Sequence, residues 1–221
     1  MKILAIDTSS EICGVCLLED NNLIDNNSLN NGMTHSENLM PLISEILERN
    51  NLKIGDIDLI ACVVGPGSFT GIRIGVSTIK GLAEVENIKI VELTALEVLA
   101  GNINNEGIKV SIIDARNDQV YCGIFDKENN LIEEMIADSI DNTILKLKKY
   151  SNITFVGNGA IKYKDLLNKE IAGINFCDNN LQSAYVVGKL GYKKYLENNL
   201  KTADELLPIY LRKSQAERMK K

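Results

Sequence analysis

The sequence predicts an α/β fold built twice, each copy a mixed sheet (a three-strand meander plus alternating helices and strands) covered by helices. Three observations carry that prediction. First, an internal repeat relates ILAIDTSSEICGVCLLEDNNLI, starting at Ile3, to VSIIDARNDQVYCGIFDKENNLI, starting at Val110. In each copy an apolar strand ends in an aspartate, a polar turn and a second β-rich run follow, and an Asn-rich turn leads into Leu-Ile. The two aspartates, Asp7 and Asp114, lie 107 residues apart. Two copies are too few for a solenoid, so the repeat reads as a duplicated domain. Second, the same order of helices and strands follows each copy. Third, the 221 residues are 45% hydrophobic and 24% charged, enough to bury a sizeable core.

After the first meander the pattern predicts a helix over 36–49, a buried strand over 57–64, a helix over 69–84, a strand over 89–93 and a short helix over 95–101. After the second it predicts a helix over 139–150, a strand over 153–156, a helix over 160–167, a weak strand near 174–177 and a long helix over 183–198. Meanders followed by alternating helices and strands imply mixed sheets. The boundary falls in the polar stretch 102–107, giving an N-terminal domain, 1–103, and a shorter C-terminal domain, 104–221.

The first helix opens with a capping box, Thr34 at the N-cap and Glu37 three residues on. Leu39, Leu42, Ile43, Ile46 and Leu47 form its apolar stripe, and Met40 widens it. Pro41 removes a backbone donor and should bend the helix. The stripe is wider than packing on one sheet requires. Next, Gly65-Pro-Gly-Ser-Phe-Thr-Gly71 follows a strand and opens a helix, where phosphate loops occur. No Gly-Lys-Ser/Thr follows at P-loop spacing, Thr70 replaces the third glycine of a dinucleotide fingerprint, and Pro66 and Thr70 stand where a nucleophile elbow needs glycines around Ser68. Gly67, Gly71 and Gly75 instead share one helix face, a costly arrangement that close approach of another helix offsets.

Asp7, Thr8 and Ser9, and in the second copy Asp114, can either position a metal-bound phosphate or make ordinary Asx turns. Gly157 and Gly159 can admit an adenine ring or form a plain turn. His35 is the only histidine, so no histidine metal pair can be assembled, a triad base would need partners, and a polar contact at the helix start is expected.

A net charge of −6 argues against a surface that grips nucleic acid throughout. Residues 212–221, however, hold Arg212, Lys213, Arg218, Lys220 and Lys221 against the single Glu217. This basic tail reads as a solvated end or as a phosphate contact. The longest apolar run, 59–64, is far too short for a membrane span, and Asp7 interrupts any secretory segment. Five cysteines, an odd number without framework spacing, suit a reducing compartment, and a cytoplasmic location is expected. Cys13 and Cys16 form a C-x-x-C, but on a strand they point to opposite faces and no further metal ligands accompany them.

The duplicated unit resembles the actin, heat-shock chaperone and sugar-kinase superfamily, with actin-like, ribonuclease H-like domains. More narrowly, ILAIDTS at 3–9, His35-Ser-Glu37, Gly65-Pro-Gly-Ser-Phe-Thr-Gly-Ile-Arg-Ile-Gly75 with Lys80-Gly81, Asp114-Ala-Arg116 and Pro208-Ile-Tyr-Leu-Arg212 resemble the TsaB (YeaZ) family over essentially the whole chain. The resemblance implies a non-catalytic subunit for threonylcarbamoyl transfer to the adenosine beside the tRNA anticodon. It implies pairing with catalytic TsaD, recruitment of the ATPase TsaE, and a homodimer when alone. The implied pairing surface is the first two helices, with His35, Leu39, Leu42, Ile43, Ile46, Thr70, Gly71, Arg73, Ile74, Gly75 and Thr78 at the interface. No catalytic or metal site is implied, and no tightly held cofactor. ATP or ADP would sit at the complex interface, and tRNA would be met indirectly, with residues 212–221 as the contact. The superfamily also implies an alternative, an autonomous ATP-binding enzyme using Asp7, Thr8, Ser9, Asp114, Gly157 and Gly159.

Overall fold

The computed structural model describes residues 1–31 and 34–212. Apolar, β-rich runs make the first meander: β1 (Lys2–Asp7), β2 (Cys13–Glu19) and β3 (Asn22–Leu29), antiparallel throughout. β4 (Leu59–Val63) then runs parallel to β1, and β5 (Lys89–Leu93) parallel to β4. The resulting order is β3-β2-β1-β4-β5. Parallel strands need crossovers, and two helices supply cover: α1 (His35–Arg49) packs on β2 and β3, and α2 (Phe69–Glu86) packs on β4 and α1. Strand alternation sends Leu4, Ile6, Cys13, Val15, Ile60 and Cys62 into the core beneath these helices.

The second unit repeats this plan. β6 (Ile108–Asp114), β7 (Gln119–Phe125) and β8 (Leu131–Ser139) form the meander, and β9 (Ile153–Val156) and β10 (Asn175–Phe176) continue in parallel, in the order β10-β9-β6-β7-β8. Read from the other edge, that is the order of the first sheet. A short α3 (Ala95–Ala100) precedes it, and α4 (Ile140–Leu147), α5 (Asn158–Lys162) and α6 (Lys164–Glu170) lie within it. The helix expected over 160–167 is therefore two, broken at Tyr163, which serves as C-cap of one and N-cap of the other.

The division of the chain differs from the expected 1–103 and 104–221. One compact unit comprises Met1–Ala95 and Gln182–Ile209; the other comprises Leu96–Leu181 and the residues from Tyr210. The long last helix, α7 (Ala184–Leu196), crosses back to cover the first sheet, lying on β1, β2, β4 and β5. The reason is close packing. A Cβ on Gly188 would meet the Leu18 side chain and one on Gly191 would meet Ala61, so α7 approaches that sheet almost backbone to surface. Helical spacing shows that Ala184, Val187, Gly188 and Gly191 share a smooth face. It does not show which sheet receives it.

Cys13 lies under α1 and α2, whereas Cys16 is buried outside that cluster, as their strand positions require. Burial, above all, pushes the Cys13 thiol up to about 11 and the Cys16 thiol up to about 12, so both are protonated packing groups. Among the described residues no three His, Cys, Asp or Glu side chains gather into a metal site, and no helix is long and apolar enough to cross a membrane.

Candidate partner surface

α2 is held at its start by the turn between β1 and β2. Ser68 caps it, accepting a hydrogen bond from Gly71 N at 3.2 Å. Ser68 N donates to the Ser9 carbonyl at 2.7 Å, and the Thr8 hydroxyl donates to the Gly71 carbonyl at 2.8 Å. A Cβ on Gly67 would strike the Ser9 carbonyl, one on Gly71 the Thr8 carbonyl and the His35 ring, and one on Gly75 the Thr8 hydroxyl. The glycine face expected to receive another helix is thus filled by the protein's own turn. Gly71 and Gly75 are buried there. Gly65, at φ +123°, makes a similar approach to the Ile209 carbonyl, and Ile209 N donates to Val64 O at 2.8 Å.

His35 Nε2 lies 2.8 Å from the Ser10 carbonyl and, since a carbonyl only accepts, it is the donor. This is the polar contact expected of it. Glu37 accepts from both Thr34 N and the Thr34 hydroxyl, and these bonds hold its carboxyl below the usual range. The stripe residues Leu39, Leu42, Ile43 and Ile46 are at most 2% exposed and form the core against the sheet. Within the chain, a stripe this wide is absorbed by β2, β3 and α2 together.

The outward face of α2 is a different set. Thr70, Arg73, Ser77, Gly81, Glu84 and Val85 are exposed, and Ile74 and Thr78 half-buried. The Arg73 guanidinium lies 3.9 Å from the centre of the Phe69 ring. A Cβ on Gly81 would meet nothing within 4 Å. Met40 on α1 and Val85 add exposed apolar surface, Val85 at 79%. Of the expected interface residues, Thr70 and Arg73 are therefore exposed, Thr78 is half-buried, and Ile74, also half-buried, packs against the core. Ser77 and Val85, also exposed, follow Thr70 at helical spacing on the same face.

The nucleotide candidates are engaged internally. Asp7 is 2% exposed, and its Oδ1 accepts from Ser9 N at 2.8 Å and the Ser9 hydroxyl at 2.7 Å. Its Oδ2 has no partner, and burial, the largest influence, raises its pKa against the opposing pull of Ser9 and His35. In the second unit, Lys162 Nζ clasps both oxygens of Asp114 at 3.0 and 3.1 Å. Gly157 N donates to Asn180 Oδ1 at 2.9 Å, and both Gly157 and Gly159 abut the Ile112 carbonyl of β6. Close approach to that strand requires those glycines.

A family model described as TsaD: tRNA N6-adenosine threonylcarbamoyltransferase matches residues 30–220. The chain is 33% identical to the tRNA threonylcarbamoyladenosine biosynthesis protein TsaB of Haemophilus influenzae, over 96% of this chain and 94% of the relative. The chain belongs to the TsaB (YeaZ) family. YeaZ from Pseudomonas aeruginosa superposes with a TM-score of 0.82 at 24% identity, covering 95% of this chain and 99% of that one. A polyphosphate/ATP-glucomannokinase from Arthrobacter sp. strain KM superposes at 0.53 with 9% identity, over 88% of this chain and 99% of the kinase. The TsaB fold is thus shared in outline with that kinase, with the duplicated sheets that the internal repeat implies.

Proposed function

We propose that this chain acts in tRNA threonylcarbamoyladenosine biosynthesis as a non-catalytic subunit that pairs with a TsaD-type threonylcarbamoyltransferase, and that the pair then recruits the ATPase TsaE. The observation that carries the proposal is the outward face of α2. Thr70, Ser77, Thr78 and Gly81 make it smooth, Arg73 stands beside them, and Met40 and Val85 supply exposed apolar surface. A smooth helix admits another helix closely, and an apolar rim rewards covering it. The partner is the catalytic relative, because the family model that describes that enzyme matches most of this chain and related folds pair readily. Without that partner the same face joins a second copy.

The superfamily implies an ATP-magnesium group, and the residues here do not fit one. Lys162 neutralises Asp114, Gly157 N is spent on Asn180, and burial favours the protonated form of Asp7. The reading therefore leaves any nucleotide to the junction with the catalytic subunit.

The test is light scattering after gel filtration of this protein with its TsaD counterpart, each alone as control, and then with TsaE added. A 1:1 species is expected from the wild type and its loss from Gly81→Leu, with circular dichroism unchanged. Two unaltered peaks from the wild-type mixture would overturn the proposal.

A further inference from the structure

One flank of α7 is left uncovered by the sheet beneath it, and that flank is both basic and aromatic. The buried residues Ala184, Val187, Gly188 and Gly191 rest on the first sheet. Helical spacing puts Tyr185, Lys189, Tyr192 and Leu196 in one row beside that face, with Lys193 next to them. Lys189, Lys193 and Leu196 are exposed and the two tyrosines half-buried. The Lys189 ammonium lies 5.6 Å from the centre of the Tyr185 ring.

The row looks toward β3, the edge strand of the sheet. Lys194, on the opposite flank, donates to the Glu92 carbonyl of β5 at 3.2 Å and so fixes which side is which. In β3, Asn26 pairs with Cys16 and Ser28 with Gly14, so both share the α7 side of the sheet with Leu18. Both are exposed and uncharged. Asp25, the only carboxylate of β3, pairs with Leu17 on the other side, where Arg49 holds it at 2.9 Å. α7 itself carries three lysines and no acid, in a chain whose net charge is −6. Lys193 and Lys194, in the last turn, complement the helix dipole; Lys189, in the middle of the helix, gains nothing from it. Of the basic tail expected to meet tRNA, Lys213, Arg218, Lys220 and Lys221 lie outside the described residues, and Arg212 donates to the Ala115 carbonyl at 3.2 Å.

We propose, on the reading that the protein serves tRNA modification, that this flank of α7 and the edge of β3 beside it form a contact for an unpaired stretch of RNA. Lys189 and Lys193 meet phosphates, and Tyr185 and Tyr192 meet bases. Lysines interleaved with rings match a strand that offers charge and flat bases in alternation, and each phosphate contact releases bound counterions. In an RNA duplex the bases are stacked out of reach, so unpaired nucleotides are the ones that suit tyrosine. An acidic protein would use the lysines alone, and lysine is depleted where protein surfaces meet. A lipid surface would need an apolar helix face, and that of α7 is spent on the sheet.

The experiment measures the fluorescence anisotropy of a labelled single-stranded RNA, of the same strand annealed to its complement, and of labelled polyglutamate, each titrated with the full chain across a salt series. The proteins are wild type, Lys189→Gln, Lys193→Gln, Tyr192→Leu and, as a control in the second unit, Lys127→Gln. Each glutamine change on α7 is expected to weaken single-strand binding about threefold and to lower the salt slope by roughly 0.7. Tyr192→Leu keeps apolar bulk but loses the flat ring, so it should weaken binding about five- to tenfold with the slope unchanged. Lys127→Gln should bind as the wild type does. Thermal midpoints are measured for every variant, and those of the two glutamine variants, at exposed positions, should not move. Equal single-strand affinities for wild type and the α7 variants would overturn the proposal, as would equal or tighter binding of the duplex. Polyglutamate binding that the same lysine changes weaken, with RNA affinity intact, would overturn it in favour of an acidic protein. Threonylcarbamoyl transfer by the wild-type protein with its TsaD and TsaE counterparts is assayed in parallel. Its failure would strike the functional reading, whereas its success with RNA affinity indifferent to α7 would strike only this inference.

Discussion

Gly75 and Gly81 sit on one helix and meet opposite requirements. Gly75 faces the Thr8 hydroxyl with no room for a methyl group, whereas Gly81 faces open space. Gly75→Leu is therefore expected to destabilise the fold by about 3 kcal/mol or more through overpacking, read as a fall in the urea midpoint. A Gly75→Leu protein as stable as wild type would show that the turn does not fill that face. Asp7 makes a second residue-scale case. Its folded pKa lies above the ordinary 3.8, so in the interval between the two values the folded protein holds a proton that the unfolded chain has lost. Stability contributed by that proton is present below the ordinary value and is lost as pH rises through the folded one. Asp7→Asn keeps an acceptor for Ser9 and cannot ionise. Thermal midpoints measured from pH 4 to pH 8 should therefore decline less for the variant, and parallel profiles would refute the assignment.

At the scale of elements, α7 shows how a helix late in the chain can belong to an early sheet. Its buried face is Ala184, Val187, Gly188 and Gly191, and it covers the side of the sheet opposite α1 and α2, where Leu18 and Ala61 meet its glycines. A Cβ at Gly188 would enter the space of the Leu18 side chain. Gly188→Val is expected to cost about 1–3 kcal/mol, seen as a lower denaturant midpoint, and cavity-forming Leu18→Ala should recover part of that loss. Additive effects of the two changes would mean that the helix does not rest on Leu18. The helices over 36–49 and 69–84 were legible as elements because their apolar spacing and caps are local. Their partners were not. The wide stripe of α1 reads equally well as a surface awaiting another protein and as a helix that touches a sheet and a neighbouring helix at once.

Across the whole molecule, the internal repeat made the architecture legible. An offset of 107 residues at the aspartate and 108 at the Asn-rich turn carries the meander from one sheet to the other, and both sheets have the same strand order. Strand periodicity and turn chemistry act over a few residues, so they survive reading from the sequence alone. The family was legible for the same reason, since Gly65-Pro-Gly-Ser-Phe-Thr-Gly71 and its companions are short continuous motifs. Which residues lie on a free surface was decided only in three dimensions. Leu39, Leu42, Ile43 and Ile46 went inside, Gly71 and Gly75 closed on the Thr8 turn, and Thr70, Arg73 and Gly81 stayed out. The return of Gln182–Ile209 to the first unit was decided there too. Local propensity determines which residues form a helix and which of its faces is apolar or smooth. What covers that face depends on contacts between residues far apart in the chain, and those exist only once the chain has folded.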